Sequence, residues 1–418
     1  MAQGKFDIYV YADWIGLEGP VQVGVLSAHF AKAKKAFSFE YSKDWLDKGL
    51  YQNLDPDIAF YSGPQYHTDK ENFGIFLDSM PDTWGRTLMK RREAQDARVR
   101  GEKAKTLYEI DYLLGVYDES RMGALRFKTD VDGPFLDDDD QNPTPPWSSL
   151  GDLQKAVEQL ENDTQNDETR QWLAVLIAPG SSLGGARPKA NILGKNKSLW
   201  IAKFPSKTDT VDKAAWEFLA YKLAFACRIE MAESKTERIA GQYHTFLTKR
   251  FDRNEDGRIH FASAMTMTRN NEETLKAQTA SYLDIVDVIE NYGTNVDANL
   301  HQLWRRIVFN IAISNTDDHL RNHGFILNEK GWELSPAYDL NPSIEKDGLA
   351  LNIDMDDNAL DFELAKSVGK FFRLSEDEMG AIINEVVAVV KDWKSIAKEI
   401  GISNKEVLLM ESAFNTEV

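Results

Sequence analysis

The sequence predicts an α+β protein in which a β-containing half precedes an α-rich half. Strand-like runs such as IYVYADW, AFSFEYS and ALRFK, and turn-linked apolar pairs, dominate up to about residue 250. From about Tyr282 onward the pattern becomes helical: Leu300, Leu303, Trp304, Ile307, Val308 and Ile311 recur at the spacing of one buried helix face. Between the first strands and the rest lies DVDGPFLDDDDQNPTPPW, an acidic, proline-bearing stretch that reads as a surface linker.

These features divide the chain into four parts: a β-rich N-terminal subdomain (residues 1–128), the linker (129–147), a second β-containing lobe (148–253) and an all-α C-terminal lobe (254–418). A chain of 418 residues has room for several cores. Its apolar fraction of 42% and aromatic fraction of 11% are ordinary for a globular protein. The single cysteine, Cys227, excludes a disulfide framework and a cysteine-built zinc site, and its apolar surroundings make it an inert thiol. The N-terminus lacks the pattern of a signal peptide and no apolar run is long enough to cross a bilayer, so a cytoplasmic protein with no membrane association is expected. A net charge of −18 repels phosphate backbones and anionic lipid, which leaves DNA accessible only through a partner protein.

Taken in order, the N-terminal part holds a helical block around Asp82 to Gln95. Ser149 and Asp152 read as a capping box ahead of the helix LQKAVEQL. After PGSSLGGARPK, the runs ANIL and SLWIAKF flank a GKNK tip and read as a β-hairpin. In its second strand Leu199, Ile201 and Lys203 share one face, so Lys203 points into a largely apolar layer at a strand end. A helix is expected from Asp212 to Ala226, then the strand-like YHTFLTKRFDR. Asp252, Asn254, Asp256, Gly257 and Ile259 imitate the first half of a calcium loop, but Ser263 stands where a bidentate glutamate is needed, so the segment reads as a lobe-connecting turn. The long helix then runs into SNTDDHLRNH, a hairpin GFIL-NEKG-WELS leads to PAYDLNPS, and Ser375 with Glu378 caps a further helix.

Several of these parts are those of phosphoryl transfer. SSLGGARPK is a glycine-bearing turn whose bare amides, those of Gly184, Gly185 and Ala186, can approach phosphate closely, and Lys203 is a candidate phosphate lysine. Asp317 and Asn322 stand in the spacing D-x-x-x-x-N that separates base and metal-binding asparagine in protein-kinase catalytic loops. The hairpin then returns the chain to Asp339, as it must if one magnesium is to touch both an amide oxygen and a carboxylate. Asp318 is the alternative base, which the spacing to Asn322 disfavours. His319 enters as a residue of the nucleotide site, read as a hydrogen-bonding group that positions the loop. Glu217 has two readings, a partner for Lys203 or an exposed helix glutamate.

SSLGGARPK, IAKFPS, KRFDR, NTDDHLRNHGF and PAYDLNPS, with SMPDTWGR and DYLLGVYDESRMGALRF upstream, resemble the HipA-type serine/threonine kinases, toxins of bacterial toxin–antitoxin pairs. The resemblance covers most of the chain. It implies a two-lobed protein-kinase-like fold with an extra N-terminal β-rich subdomain. It also implies ATP and Mg2+ as cofactors, Asp317 as base, Asn322 and Asp339 as metal ligands, and Lys203 on the ATP phosphates. Phe251 matches a residue packing near adenine, and Ser182 the loop serine that such kinases phosphorylate on themselves. The implied substrate is a protein, such as an aminoacyl-tRNA synthetase, and the implied partner a small DNA-binding antitoxin of the HipB type. This sequence departs from the pattern at Lys249, where some members carry an acidic hinge residue, and at Asp318, where others carry glycine. A kinase for a small molecule and an ATP-binding pseudokinase that serves as an antitoxin-bound co-repressor are the alternatives.

Overall fold

The computed structural model describes residues 4–30, 35–49, 53–67, 72–81, 83–136, 144–162, 176 and 185–417. The chain divides into two compact units, residues 1–208 with 252–262, and residues 209–251 with 263–418.

The first unit is built on an antiparallel sheet of β1 (Gly4–Ala12), β2 (Val21–Phe30), β3 (Lys35–Tyr41), β4 (Gln65–Tyr66) and β5 (Leu125–Lys128), in the order β4-β3-β2-β1-β5. Ile8, Val10 and Ala12 alternate into the core, where Phe39, Trp45, Phe76 and Phe127 are also buried and the Phe76 ring packs against those of Phe39 and Phe127. At Gly24, beside a register shift in β1, a side chain would collide with the Glu40 carbonyl and the Phe39 ring. The two N-terminal motifs explain each other here. Buried Arg121, from DESRMG, donates to the carbonyls of Ser79 at 2.8 Å and of Leu113 and Val116 at 3.0 Å, and lies over the Phe127 ring. Arg86, from DTWGR, grips the Glu109 carboxylate through both guanidinium ends at 2.6 Å.

The expected GKNK hairpin forms between β6 (Lys189–Leu193) and β7 (Leu199–Lys203), with Asn196 and Lys197 at φ 61° and 60°. The alternation along β7 holds, but the deeper layer is the Trp200, Ala202 and Phe204 face; Ile201 and Lys203 are half-buried. In the stretch expected as a surface linker, Thr129, Asp130, Val131, Asp132, Pro134 and Pro146 are exposed, while other residues of its described ends make contacts. The Leu136 amide donates to the Phe127 carbonyl, Phe135 stacks under Arg126, Thr144 is buried, and the Leu193 amide donates to the Pro145 carbonyl at 2.8 Å. Proline lacks a donor but keeps its carbonyl, so it can still extend a sheet edge. The Ser149 cap does not form. A short 3₁₀ turn, Trp147–Ser149, runs straight into the helix Leu150–Glu161, so Ser149 is already helical and its hydroxyl caps nothing. The imitation calcium loop is a small hairpin, Arg253–Asn254 with Gly257–Arg258, closed by the Asn254 side chain accepting from the amides of Asp256 and Gly257.

In the same unit His260 is buried and stacked on Trp14, with ring centroids 5.2 Å apart. Burial pushes its imidazole down to about 3. The unfolded chain binds a proton as pH falls through about 6.5, whereas the folded chain refuses it until much lower. This histidine's contribution is therefore complete above the unfolded value and is lost as pH falls toward the folded one, at up to about 1.4 kcal/mol per pH unit. His260→Gln is expected to lose less of its urea midpoint than wild type between pH about 7.5 and pH about 5; equal losses would refute the assignment.

The second unit carries the helices of the C-terminal half, together with the hairpin Gly324–Asn328 with Gly331–Leu334. The predicted apolar face appears on the helix Val296–Ala312, where Leu300, Leu303, Trp304, Ile307, Val308 and Ile311 are fully buried. Ser375 and Glu378 make the capping box expected of them at the helix Glu376–Val390. Asp212 caps the helix Lys213–Ala226, on which Glu217 is buried rather than exposed. Burial pushes the Cys227 thiol up to about 12, which makes it inert. No helix among the described residues is long and apolar enough to cross a membrane.

Candidate active site

The helix Val296–Ala312 delivers the chain into the loop SNTDDHLRN through a left-handed residue, Ser314 at φ 49°. Two adjacent carboxylates then part company. The Asp317 side chain is 76% exposed, and Lys346 approaches it at 3.6 Å. Asp318 is 1% exposed. One oxygen of Asp318 accepts the Tyr282 hydroxyl at 2.5 Å, His323 Nε2 at 2.7 Å and Asn310 Nδ2 at 2.9 Å. Burial by itself would raise the Asp318 carboxyl, but the His323 charge and the bonds from His323 and Tyr282 hold it below the usual carboxylate range. Burial and the same carboxylate push the Tyr282 phenol well above its ordinary value. A buried carboxylate with three donors is a structural anchor; an exposed one is free to meet a substrate.

Asn322 is buried, and its Nδ2 donates to the Asp317 carbonyl at 2.9 Å. That bond fixes the amide so that its other atom, Oδ1, is left for a further ligand. The His319 carbonyl accepts the Asn322 amide at 2.7 Å, and His319 Nδ1 is buried without a partner.

The hairpin Gly324–Asn328 with Gly331–Leu334 brings the chain back to this loop. The Tyr338 hydroxyl donates to the Arg321 carbonyl at 2.9 Å, the Asn341 amide to Asn315 Oδ1 at 3.3 Å and the Ser343 amide to the Ser314 carbonyl at 3.1 Å. Residues 338–343 thus run beside residues 314–321, and Asp339 sits among them at φ 59°, a second left-handed residue that favours Asp or Asn. Phe251 packs on Tyr338 with ring centroids 5.8 Å apart. The helix Val296–Ala312 holds both segments through a buried polar row. Asn299 Oδ1 accepts the Leu334 amide, Arg306 donates to the Ser335 carbonyl at 2.7 Å, and Asn310 holds Asp318. Burial pulls Arg306 down to about 10, so it stays charged at neutral pH.

Lys203 and the glycine turn belong to the first unit. Ser182 and Gly184 lie outside the described residues; Gly185 adopts φ 81° and Ala186 is exposed. Trp84 clamps this segment at two points. Its backbone amide donates to the Gly185 carbonyl at 3.2 Å and its indole to the Lys189 carbonyl at 2.9 Å. Lys189 in turn faces Lys203 in the β6–β7 register. A Cβ at Gly185 would stand 2.6 Å from the Lys189 ammonium, so glycine serves both the backbone angle and the close approach.

The structure thus places Asp317, His319, Asn322 and Asp339 in the second unit, and with them Phe251, which the sequence reading had put in the lobe 148–253. Sequence reasoning missed Trp84, Tyr282, Asn310, Asn315, His323 and Lys346. The readable signal for Asn310 was a polar residue inside the apolar run IVFNIAI. Lys346 carried no signal, and Trp84 stood in the motif SMPDTWGR without an assigned role. Among the described residues no three His, Cys, Asp or Glu side chains gather for a metal. Magnesium does not need such a cage, since one or two protein oxygens plus substrate phosphates suffice. The Asn322 amide oxygen and the Asp339 carboxylate are donors of the kind magnesium takes.

A family model described as the HipA-like C-terminal domain matches residues 181–393. No curated protein matches the chain. Among solved structures it is similar to HipA of Shewanella oneidensis MR-1, determined as a toxin–antitoxin complex of HipA, HipB and operator DNA. The TM-score is 0.64 at 16% identity, over 97% of this chain and 94% of that one. CtkA, a proinflammatory kinase of Helicobacter pylori, gives a TM-score of 0.34 at 14% identity, over 51% of this chain and 94% of that one, a likeness too slight to argue from. The chain therefore has the expected α+β fold, in the form that this HipA shows. With the glycine turn, both hairpins, the loop and Asp339 all inside a match that covers more than half its length, the chain belongs to the family of HipA-like proteins.

Proposed function

We propose that this protein is an ATP- and magnesium-dependent serine/threonine protein kinase of the HipA kind. The observation that carries the reading is the separation of Asp317 from Asp318. The first carboxylate stands in solvent on a loop whose backbone is fixed by Asn322, and the second is consumed in anchoring that loop. Asp317 takes the proton of the attacking hydroxyl. Asn322 and Asp339 hold the magnesium ion, which neutralises charge on the transferred phosphoryl group. Lys203 and the amides of Gly184, Gly185 and Ala186 hold the nucleotide phosphates, Phe251 lies near adenine, and His319 orients the loop. Ser182 is the self-modified serine: its phosphate brings roughly −2 charge to the place the ATP phosphates need, so modification shuts the enzyme off.

The partner is a small basic antitoxin of the HipB type, and the protein substrate a translation factor. A chain of net charge −18 reaches DNA only through such a partner. The protein works in the cytoplasm.

The test is incubation with labelled ATP and magnesium, followed by mass spectrometry of the protein itself and of a cell extract. Phosphate on Ser182 and on a protein serine or threonine is the expected result. Label confined to metabolites would assign a small-molecule kinase, and no turnover would assign a nucleotide-binding co-repressor.

A further inference from the structure

Asp318 is not available as a base, yet it is the most heavily engaged side chain of the loop. Its Oδ2 gathers donors from three places in the chain: Tyr282 at the start of the helix Tyr282–Tyr292, Asn310 in the helix Val296–Ala312, and His323 just past the loop. Asn310 does more than hold Asp318. Its Oδ1 accepts Asn315 Nδ2 at 3.0 Å and its carbonyl accepts the Asn315 amide at 2.9 Å. Asn315 Oδ1 accepts in turn from the Asn341 amide, two residues beyond Asp339. One buried chain of hydrogen bonds therefore runs from Asp318 through Asn310 and Asn315 to the segment of Asp339, and every member before Asn341 is at most 1% exposed.

We propose that Asp318 is a positioning residue, the anchor through which Asn310 and Asn315 hold the base loop and the metal segment in one register. This rests on the kinase reading for its catalytic consequence, though not for its structural one. The charge matters as well as the shape. Oδ2 is shared by three donors, and a neutral amide oxygen meets three donors less well than a carboxylate oxygen does. If the amide turns its nitrogen toward them, donor faces donor and the cluster opens. Asp317, adjacent to Asp318, and Asn322, adjacent to His323, then lose their shared reference, and so does Asp339 through Asn315 and Asn341.

The experiment compares Asp318→Asn, Tyr282→Phe, His323→Gln and His323→Leu in the full chain. Asp318→Asn is expected to lower kcat about a hundredfold and to raise the magnesium concentration at half-maximal rate, with magnesium-free nucleotide affinity unchanged. Tyr282→Phe, which removes one donor of three, falls between it and wild type. His323→Gln, which keeps a donor, retains more activity than His323→Leu. Hydrogen exchange reads the anchor independently of any reaction: Asp318→Asn is expected to speed exchange of amides in both residues 314–323 and 339–343, and not in the rest of the second unit. An active wild type whose Asp318→Asn variant keeps its kcat and magnesium requirement would overturn the catalytic consequence, as would a variant that merely melts earlier. Unchanged exchange in residues 339–343 would overturn the shared anchor. An inactive wild type with the expected exchange pattern would instead count against the kinase reading alone.

Discussion

Asp317→Asn is expected to cut phosphoryl transfer by about a thousandfold while nucleotide affinity stays within about twofold of wild type. The amide keeps the size and shape of the carboxylate but cannot accept a proton. Nothing that holds the loop is touched, because Asn322 bonds the Asp317 backbone carbonyl rather than its side chain. The loss is expected in kcat alone, in single-turnover measurements at saturating ATP. Lys346, 3.6 Å from the carboxylate, would lose its counter-charge, which costs little at such exposure. A near-normal rate in this variant would show that the base lies elsewhere.

The second large effect belongs to Asp339→Asn. Asparagine tolerates the φ of 59° found there, so the backbone keeps its path and the change is confined to one unit of negative charge. On the proposed reading magnesium, a hard cation, would be held through a single carboxylate and one amide oxygen, so removing that charge is expected to weaken magnesium–ATP binding by about a hundredfold or more. Calorimetry with and without chelator checks it. The deficit should appear only when magnesium is present, and a deficit that persists in chelator would make Asp339 a residue of folding rather than of the metal.

What the sequence disclosed follows from how local each signal is. The β6–β7 hairpin was legible because its tip must take left-handed angles at Asn196 and Lys197, and the tip residues accept them. The face of the helix Val296–Ala312 was legible because burial on a helix repeats at fixed spacing. Asp317 and Asn322 were legible as a pair because five residues of one loop set their separation. The Ser149 and Ser375 capping boxes looked alike in sequence and differ in structure, because a preceding turn had already wound Ser149 into helical angles. The anchor of Asp318 was hidden for another reason. Tyr282 lies 36 residues away, and no spacing rule connects a tyrosine on one helix with a carboxylate beyond the next. Long-range polar contacts of this sort depend on tertiary packing, which the local pattern does not encode.

The clamp of Trp84 bears on how such a protein can be cut and recombined. The match to the C-terminal family model begins at residue 181, at the glycine turn, yet the residue that holds Gly185 and Lys189 stands about a hundred positions earlier. A fragment trimmed to the matched region would keep every residue assigned to the chemistry and lose the hand that steadies the turn. Gene fusions and deletions that respect the apparent module would therefore not respect the mechanical one. Inheritance of the catalytic half without its β-rich companion would call for a substitute brace, supplied by another segment or another chain.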